Sequence, residues 1–288
     1  MSQPAFVDKP LVSVAIPTLN SERTLPLTLE SIRRQNYKNY EIIVVDGHSV
    51  DRTVEIAQRH EARILYGRTI AEARRIGVDN CKGKYVLLLD SDQVLEADTI
   101  DKCVQRCERE GVDVITLFER SILLHNTIVA RAIAYDKWLI HSMHDDDVLY
   151  GTAIPRFFKT ELLKKSSWPL DLVTLDHTFL YSSVLVWKPS RAFLDSYIWH
   201  IEPTDLASIA RKFFHYGLSY SRALRQNKSL TIWHSLPRRV YFSGKALQKP
   251  YLLAIVLLIY LVKGLACVCG IAASLGFGRL RQTLSQPL

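Results

Sequence analysis

Short apolar runs alternate with amphipathic stretches over the first 90 residues. Between the runs, apolar residues recur every three or four positions, which is the spacing of one face of a helix. Helical patterns of this kind begin after Asn20 and Ser21, which are good N-caps, and at Thr53 and Thr69. The apolar runs have strand length and occupy residues 11–17, 41–46, 62–66 and 85–89. This order predicts an α/β fold with a parallel, doubly wound sheet.

The run 85–89 predicts a central strand, because an unbroken apolar run is typical of a strand covered on both faces. It ends at Asp90 and Asp92, and in open α/β sheets the ligand binds beyond the carboxyl ends of the strands. Two carboxylates this close repel each other unless positive charge lies between them, and a divalent cation bridging to phosphate oxygens would supply it. An ordinary Asp-Ser-Asp turn or helix cap is the alternative interpretation.

The pattern after residue 93 is less regular. It predicts helices over residues 97–109 and 126–143 and strands over residues 112–118, 151–158 and 192–199. His144 and the three aspartates after it resemble a metal-binding cluster. A solvated loop is the preferred interpretation, because three adjacent carboxylates cannot all face one ion.

Charge is distributed unevenly along the chain. The formal net charge is +8, but no Asp or Glu follows Asp205. The twelve basic residues beyond that point leave the first 205 residues with a net charge of −4. A basic segment of this kind predicts an anionic partner, either a membrane surface or a nucleic acid. Nucleic acid is disfavoured, because the basic residues are interleaved with a hydrophobic segment and no recognition module is visible.

The basic segment contains candidate membrane-binding elements. Residues 206–225 predict an amphipathic helix suited to a membrane interface, and residues 232–247 a second interfacial piece. Residues 251–277 are apolar apart from Lys263, and neither half reaches the ~20 residues that a span requires. One tilted span is the preferred interpretation, and an in-plane or re-entrant pair and a buried hairpin in a soluble oligomer are the alternatives. Basic residues are more numerous before this stretch than after it, which predicts a catalytic domain on the cytoplasmic side.

Several classes of protein are disfavoured by what the sequence lacks. The five cysteines form no Cys-x-x-Cys pair, so no zinc site is expected and a reducing compartment is indicated. The first ten residues lack the apolar core of a signal peptide. Neither Gly-x-Gly-x-x-Gly nor a Gly-Lys-Ser/Thr loop is present, which argues against a dehydrogenase and a P-loop enzyme.

Four segments together resemble the family 2 glycosyltransferases of GT-A fold. They are VAIPTLN at 14–20, VVDGHSVDRT at 44–53, AEARRIG at 71–77 and GKYVLLLDSD at 83–92. One such segment alone would be weak, but four in the family's order are specific. The chain departs from the family pattern at Gly47, where a second Asp is usual, and at Arg75, where Asn is common.

The resemblance implies a set of residues that bind a nucleotide-sugar donor. For the base and ribose these are Pro17, Thr18, Asn20, Glu22 and Asp46, with Ser49 and Asp51 nearby. The Asp-x-Asp pair implies that Asp90 and Asp92 hold the ribose and a Mg²⁺ or Mn²⁺ ion on the diphosphate. The leaving diphosphate develops negative charge, which the metal and a cation such as Arg74 can stabilise. A solvated helix face is the alternative for Arg74.

The resemblance also implies a general base within residues 172–181. An inverting transfer needs a carboxylate that deprotonates the acceptor hydroxyl, and the family carries an acidic pair here. Asp176 matches the Asp of that pair, whereas Leu175 stands where Glu is usual. Asp171 is the second candidate for the base, and a helix N-cap is the alternative role of Asp176.

Two histidines are further candidates. His177 is expected to be structural rather than catalytic. His200 follows the predicted strand 192–199. It either approaches the diphosphate or metal, as a His does in some GT-A enzymes, or is a half-buried structural residue.

These observations predict a GT-A domain over residues 1–205, a basic amphipathic region over 206–249, a transmembrane or membrane-embedded segment over 250–278 and a tail over 279–288. The predicted function is inverting, metal-dependent transfer of a sugar from a nucleotide-sugar donor to a lipid-linked or other membrane-proximal acceptor. A catalytically silent nucleotide-sugar-binding scaffold at the membrane is one alternative, and a polysaccharide or protein glycosyltransferase is another. Processive polysaccharide synthesis is disfavoured, because a Gln-x-x-Arg-Trp segment and multiple spans are missing.

Overall fold

A computed structural model of the chain describes residues 9–142, 155–236 and 239–284. These residues fall into two compact units. The first comprises the described residues up to Glu119 together with 155–170 and 177–200. The second comprises 120–142, 171–176, 201–236 and 239–284.

The strands form one eight-stranded sheet. They are β1 (Val12–Thr18), β2 (Tyr40–Asp46), β3 (Arg63–Tyr66), β4 (Tyr85–Leu88), β5 (Gln93–Leu95), β6 (Val114–Ile122), β7 (Pro155–Lys159) and β8 (Arg191–Ile201). The strand order is β3-β2-β1-β4-β7-β6-β8-β5. The first four strands in this order are parallel, whereas β7 is antiparallel to both β4 and β6, and β5 is antiparallel to β8.

Helices connect the strands and make up most of the second unit. They are α1 (Leu25–Arg33), α2 (Thr53–Arg59), α3 (Ile70–Asp79), α4 (Thr99–Glu110), α5 (Ile128–His141), α6 (Thr160–Lys165), α7 (Asp176–Leu185), α8 (Leu206–Gln226), α9 (Lys228–Ser235) and α10 (Pro250–Leu284). Two 3₁₀ turns, Arg239–Phe242 and Ala246–Gln248, precede α10. The predicted α/β sheet is therefore confirmed, with a helix after each of the first three strands.

The centre of the sheet is where the sequence pattern is most apolar. Every residue of β1 and β4 is buried, as the unbroken apolar runs predict. A Cβ atom on Gly83 would lie 2.6 Å from the carbonyl oxygen of Leu11 and 2.7 Å from the amide nitrogen of Ser13. Only glycine therefore fits where the chain enters β4 beside β1.

The start of α1 differs from the prediction. The helix begins at Leu25 with Thr24 at the N-cap, and no side chain caps it. Asn20 instead has a left-handed backbone (φ 49°), and its side chain accepts a hydrogen bond from the Val50 amide at 2.9 Å. The amide of Ser21 donates to Thr53 Oγ1 at 2.7 Å. Both residues fix the loop after β1, so the prediction that they cap the helix was wrong.

The second unit is helical. Its core contains apolar residues of α5, α8 and α10, including Tyr135, Ile209, Val256 and Ile259. Residues 232–247, predicted as a second interfacial piece, contain the end of α9 at Ser235 and, further on, 3₁₀ turns; their contact with a membrane stays a prediction. α10 continues without interruption through Lys263. Its segment Pro250–Leu275 is long and apolar enough to cross a membrane, by length and composition only.

Some predictions concern residues outside the described ranges. His144 and the three aspartates after it, and the first part of the predicted strand 151–158, fall there. The first eight residues do as well.

Candidate active site

The loops after β1 and β2 meet at one edge of the sheet, because Thr18 and Asp46 are partners in the last rung of the two parallel strands. Asp46 is fully buried. Its Oδ1 accepts hydrogen bonds from Thr18 Oγ1 at 2.9 Å and Ser49 Oγ at 2.6 Å, and its Oδ2 accepts one from the Ser49 amide at 2.7 Å. Asp46 therefore fixes the two loops against each other. Pro17, one residue before Thr18, is buried in β1.

The remaining residues assigned to the nucleoside belong to the same pair of loops. The Asn20 amide donates to Ser49 Oγ at 2.8 Å, and the Glu22 amide donates to Asp51 Oδ2 at 3.1 Å. Partial burial tends to raise the pKa of Asp51, but hydrogen bonds from Thr53 and from the Glu22 amide outweigh it and lower that pKa. The structure thus brings these predicted residues together into one hydrogen-bonded cluster.

Asp90 lies beyond the end of β4 and between two arginines. Its Oδ1 is 2.7 Å from Arg74 Nη2 and its Oδ2 is 2.9 Å from Arg156 Nη1. Burial alone would raise the pKa of Asp90, but the guanidinium groups of Arg156 and Arg74 hold it well below its usual range. Arg74 is buried, with 1% of its side chain exposed, so the solvated-face alternative for this residue was wrong.

Arg156 connects Asp90 to a second carboxylate. It lies on β7, has a side chain 4% exposed, and donates through Nη2 to Glu119 Oε1 at 2.9 Å. Glu119 also accepts a hydrogen bond from Gln93 Nε2 at 3.1 Å, and Gln93 Oε1 accepts one from the Asp90 amide at 2.9 Å. Two buried cations and two carboxylates therefore balance one another around the Asp-Ser-Asp turn, which is the condition for burying charge without a large penalty.

His177 contacts the same group. Its Nε2 is 2.8 Å from Arg156 Nη1 and 3.6 Å from Asp90 Oδ2. A guanidinium can only donate, so the shorter contact requires a lone pair on Nε2 and a neutral ring with its proton on Nδ1. A protonated ring would suit the longer contact to Asp90 but would bring an N–H against Arg156. His177 therefore belongs to the hydrogen-bonded group around Asp90, and its structural role stays a prediction.

Asp92 has a different environment from Asp90. Its side chain is 33% exposed, and its Oδ2 is 3.4 Å from His200 Nε2. His200 lies near the end of β8, where it pairs with Gln93 of β5. Ser91 lies between the two aspartates. Its Oγ is 2.9 Å from Ser21 Oγ, and this hydrogen bond connects the turn to the loop after β1.

Over the described parts of the chain, no three His, Cys, Asp or Glu side chains form a group that could hold a metal ion by themselves. Mg²⁺ in phosphate-transfer sites is commonly held by one or two carboxylates together with substrate phosphates and water. Both carboxylate oxygens of Asp90 accept from arginines, so Asp92 is the more accessible of the two carboxylates. Asp92, with His200 beside it, fits an ion that a donor diphosphate would help to bind.

Arg75, where the sequence departs from the family pattern, fixes a distant segment. Its Nη1 donates to the Ser166 carbonyl at 2.8 Å, and its guanidinium lies 5.3 Å from the centre of the Trp168 ring. The Trp168 indole in turn donates to the Ala71 carbonyl at 3.2 Å. Arg75 therefore holds the segment that leads toward Asp171 and Asp176 against α3.

The two candidates for the general base differ in their surroundings. Asp176 is the first residue of α7 and is buried, and it is followed by His177. Leu175, before it, has a left-handed backbone (φ 57°), which is an outlier for a bulky residue and is found mostly where the surrounding structure enforces it. Asp171 has a side chain 55% exposed, with its Oδ2 3.5 Å from Arg222 Nε. Asp176 belongs to the second unit, and its role stays a prediction.

Sequence reasoning missed Arg156 and Glu119. An arginine between Pro155 and two phenylalanines, in the strand Pro155–Lys159, is the signal that could have identified the first of them. Glu119 carries no comparable signal, because β6 becomes polar at its end.

The fold and the site define the class of the protein. Its mixed α/β sheet has the fold of the GT-A glycosyltransferases, which are among its solved structural neighbours. Residues 13–170 match the glycosyl transferase family 2 domain, and the chain belongs to that family.

Curated relatives match over different lengths. GlyG of Streptococcus pneumoniae serotype 4 is 32% identical over 113 residues, which cover 36% of this chain and 38% of GlyG. GlyA of the same organism is 34% identical over 110 residues, which cover 36% of this chain and 16% of GlyA. The chain thus spans well under half of these two relatives. The Escherichia coli UDP-Glc:alpha-D-GlcNAc-diphosphoundecaprenol beta-1,3-glucosyltransferase WfgD is 25% identical over 271 residues, which cover 90% of this chain and 95% of WfgD.

Solved structures share the fold. S. aureus TarS 1-349 in complex with UDP-GlcNAc superposes with a TM-score of 0.55 at 15% identity, covering 83% of this chain and 74% of that one. The mannosyltransferase PcManGT from Pyrobaculum calidifontis, in complex with GDP-Man and Mn²⁺, has a TM-score of 0.55 at 18% identity and covers 98% of this chain and 77% of that one.

Proposed function

We propose that the protein transfers a sugar, with inversion and with the help of a divalent cation, from a nucleotide-sugar donor to a lipid-linked acceptor at the cytoplasmic face of a membrane. The observation that carries the proposal is the asymmetric Asp-Ser-Asp turn. One carboxylate, Asp90, is fixed between two buried arginines, and the other, Asp92, has no arginine partner among the contacts described and is partly exposed beside His200.

The loops after β1 and β2 support the part of the proposal that concerns the donor. Their backbone is ordered by Asp46 and Ser49, so a nucleoside would meet preformed loops, which reduces the entropy lost on binding. TarS was solved with UDP-GlcNAc and PcManGT with GDP-Man, which makes UDP- and GDP-sugars the first donors to test.

The proposed metal dependence rests on Asp92 and His200, which would hold Mg²⁺ or Mn²⁺ against the donor diphosphate. A bound ion would offset the negative charge that develops as the nucleoside diphosphate leaves. Asp90 contributes by fixing the turn, because the ion pairs with Arg74 and Arg156 keep its carboxylate ionised and in place.

For the reaction with the acceptor, we assign Asp176 as the general base. A carboxylate must take the proton of the acceptor hydroxyl while that oxygen attacks the anomeric carbon opposite the leaving group. WfgD, which this chain matches over 90% of its length, is named for an acceptor on diphosphoundecaprenol. A saccharide on a polyprenyl diphosphate is accordingly the acceptor class that we propose.

The test is sugar transfer by the purified full-length protein with Mn²⁺, from a panel of UDP-, GDP- and dTDP-sugars into a membrane lipid extract. We expect metal-dependent incorporation into the lipid fraction from one donor. Asp176→Asn should lower turnover by about 10²- to 10⁴-fold, the usual contribution of a general base, with little change in donor affinity. Asp92→Asn should weaken both metal stimulation and donor binding.

Asp171→Asn is the matched control, because Asp171 is a carboxylate of the same segment with an exposed side chain. Turnover that survives Asp176→Asn and is lost in Asp171→Asn would reassign the base. Donor binding by the wild-type protein without transfer or hydrolysis, over every donor and acceptor tried, would replace the proposal with a silent nucleotide-sugar-binding scaffold.

A further inference from the structure

α8 and α10 lie side by side in the second unit and run in the same direction. Ile209 of α8 shares a core with Val256 and Ile259 of α10, and Lys263 lies over the ring of Phe213 at 5.3 Å. Further along, Gly217 lies against Cys267. Phe213 and Gly217 of α8 thus lie against Lys263 and Cys267 of α10 in the same order along the chain, so the pair is parallel.

The two helices touch through their backbones. A Cβ atom on Gly217 would lie 2.1 Å from the Cys267 carbonyl oxygen, and one on Gly270 would lie 2.1 Å from the Phe214 carbonyl oxygen. At this crossing there is no room for a side chain, and hence none for a lipid chain. Wherever this part of α10 lies relative to a bilayer, α8 lies there too.

The outward faces of the two helices differ in character. The exposed residues of α8 include Arg211, Lys212, His215 and Arg225. Those of α10 form an apolar stripe at helical spacing: Leu257, Leu258, Leu261, Leu265, Val268 and Leu275. The pair as a whole is therefore amphipathic, although α10 alone is apolar along most of its length.

This pairing argues against α10 crossing a bilayer. α8 would have to enter the hydrocarbon beside it, and each of its Arg and Lys residues costs about 2.5–3.5 kcal/mol at the centre of a membrane helix. The chain would then have to return from Gln226 to Pro250 through the bilayer. That stretch contains 3₁₀ turns and non-helical backbone, which lipid does not tolerate.

We propose that α8 and α10 form an in-plane docking surface for an anionic bilayer, with the apolar stripe of α10 among the acyl chains and the basic residues of α8 at the headgroups. Neither helix crosses the membrane. Charge complementarity argues for this partner, because no Asp or Glu follows Asp205 in the chain. Trp233 and Phe242, also exposed in the second unit, are residue types suited to the same interface. The inference rests on the membrane association proposed above but not on catalysis.

Depth measurements on vesicle-bound protein test the arrangement. Spin labels are attached at Leu258→Cys, Leu265→Cys or Leu275→Cys in full-length protein carrying Cys267→Ala and Cys269→Ala, since the other three cysteines are buried. Vesicles contain phosphatidylcholine and phosphatidylglycerol. We expect the three labels to lie at depths within ~5 Å of one another, about one helical turn. A spread of about 25 Å between Leu258 and Leu275, the length of helix between them, would show a crossing helix and overturn the proposal.

Flotation with the same vesicles tests the charge contribution. Arg211→Gln combined with Lys212→Gln should weaken binding about 30-fold, from the usual contribution of a basic residue at an anionic surface. Arg33→Gln with Arg34→Gln, an adjacent pair in the first unit, is the matched control and should change nothing. A protein that does not float but doubles its mass in solution, with the three labels shielded, would mean that a second copy covers the stripe, and the proposal would fail. None of these measurements uses a donor, so a failure of transfer does not affect them.

Discussion

The same residue types have opposite environments in the two units. In the first unit, Arg74 and Arg156 are buried, and each holds one oxygen of Asp90. In the second, Arg211 and Lys212 of α8 are exposed, and no acidic residue follows Asp205. A buried cation fixes a carboxylate, whereas an exposed cation is solvated by water. The comparison therefore separates cations that hold the candidate site together from cations that lie at the surface.

The energetics of the two groups should differ in the same way. Removing one member of a buried, balanced set of charges leaves an uncompensated charge in a medium of low dielectric constant. Removing an exposed cation costs little folding free energy, because water already solvates it. Stability and vesicle binding are thus two readouts that should respond to different residues.

The largest effect is expected for Arg156→Met. This change removes the cation between Asp90 and Glu119, and the loss of one partner from a buried ion pair costs about 3–5 kcal/mol. Urea unfolding, followed by circular dichroism, measures that loss. Arg211→Met is the control and should lie within about 0.5 kcal/mol of the wild type.

A second substitution checks the cause of that loss. Glu119→Gln added to Arg156→Met removes the charge of the carboxylate that has lost its arginine, whereas Asp90 keeps its ion pair with Arg74, and should restore part of the stability. A loss below about 1 kcal/mol in Arg156→Met would show that water or a rearranged side chain already compensates these charges.

A smaller effect is expected at the crossing of α8 and α10. In Gly270→Ala the new methyl group meets the Phe214 backbone, so the helices must separate, and overpacking of this kind costs about 1–3 kcal/mol. Gly264→Ala, in the same helix, meets nothing within 4 Å and should stabilise the helix by up to about 1 kcal/mol. Equal unfolding midpoints for the two variants would contradict the close crossing.

The pH dependence of stability should report on Asp90. Its pKa is lowered on folding, so its contribution is present above the ordinary value of 3.8 and is lost as the pH falls below that value toward the folded pKa. Below about pH 4, the unfolding free energy of the wild type should fall more steeply than that of Asp90→Asn, by up to about 1.4 kcal/mol per pH unit. Parallel slopes would mean that Asp90 is not held ionised by its arginines.

The sequence predicted the parts of the fold that depend on local pattern. The first four strands, the helix that begins after Thr69 and the position of Asp90 and Asp92 follow from apolar periodicity and from the rule that sites lie at the carboxyl ends of parallel strands, whereas the short strand β5 was not predicted. Arg74 was predicted because it occurs within a family motif close to the Asp-x-Asp turn.

The parts of the fold and of the candidate site that were not predicted depend on contacts between residues far apart in the chain. Arg156 lies 66 positions from Asp90, and no local pattern indicates that β7 pairs with β4 and brings them together. The parallel direction of α8 and α10 is likewise set by packing at Gly217 and Gly270, which a hydropathy pattern does not encode.

The smallest effect is expected for an exposed ion pair. It can be compared directly with the buried ion pairs of Arg156, because the charged groups are of the same kind. Arg34 Nε lies 2.9 Å from Glu30 Oε1, as close as Arg156 lies to Asp90, but the two side chains are 74% and 42% exposed. Water and salt screen such a pair, so a double-mutant cycle with Arg34→Ala and Glu30→Ala should give a coupling of about 0.3–0.5 kcal/mol that disappears in 1 M NaCl. The loss in Arg156→Met should persist at that salt concentration. A coupling above 1 kcal/mol for the exposed pair would show that distance, and not burial, decides what these arginines contribute.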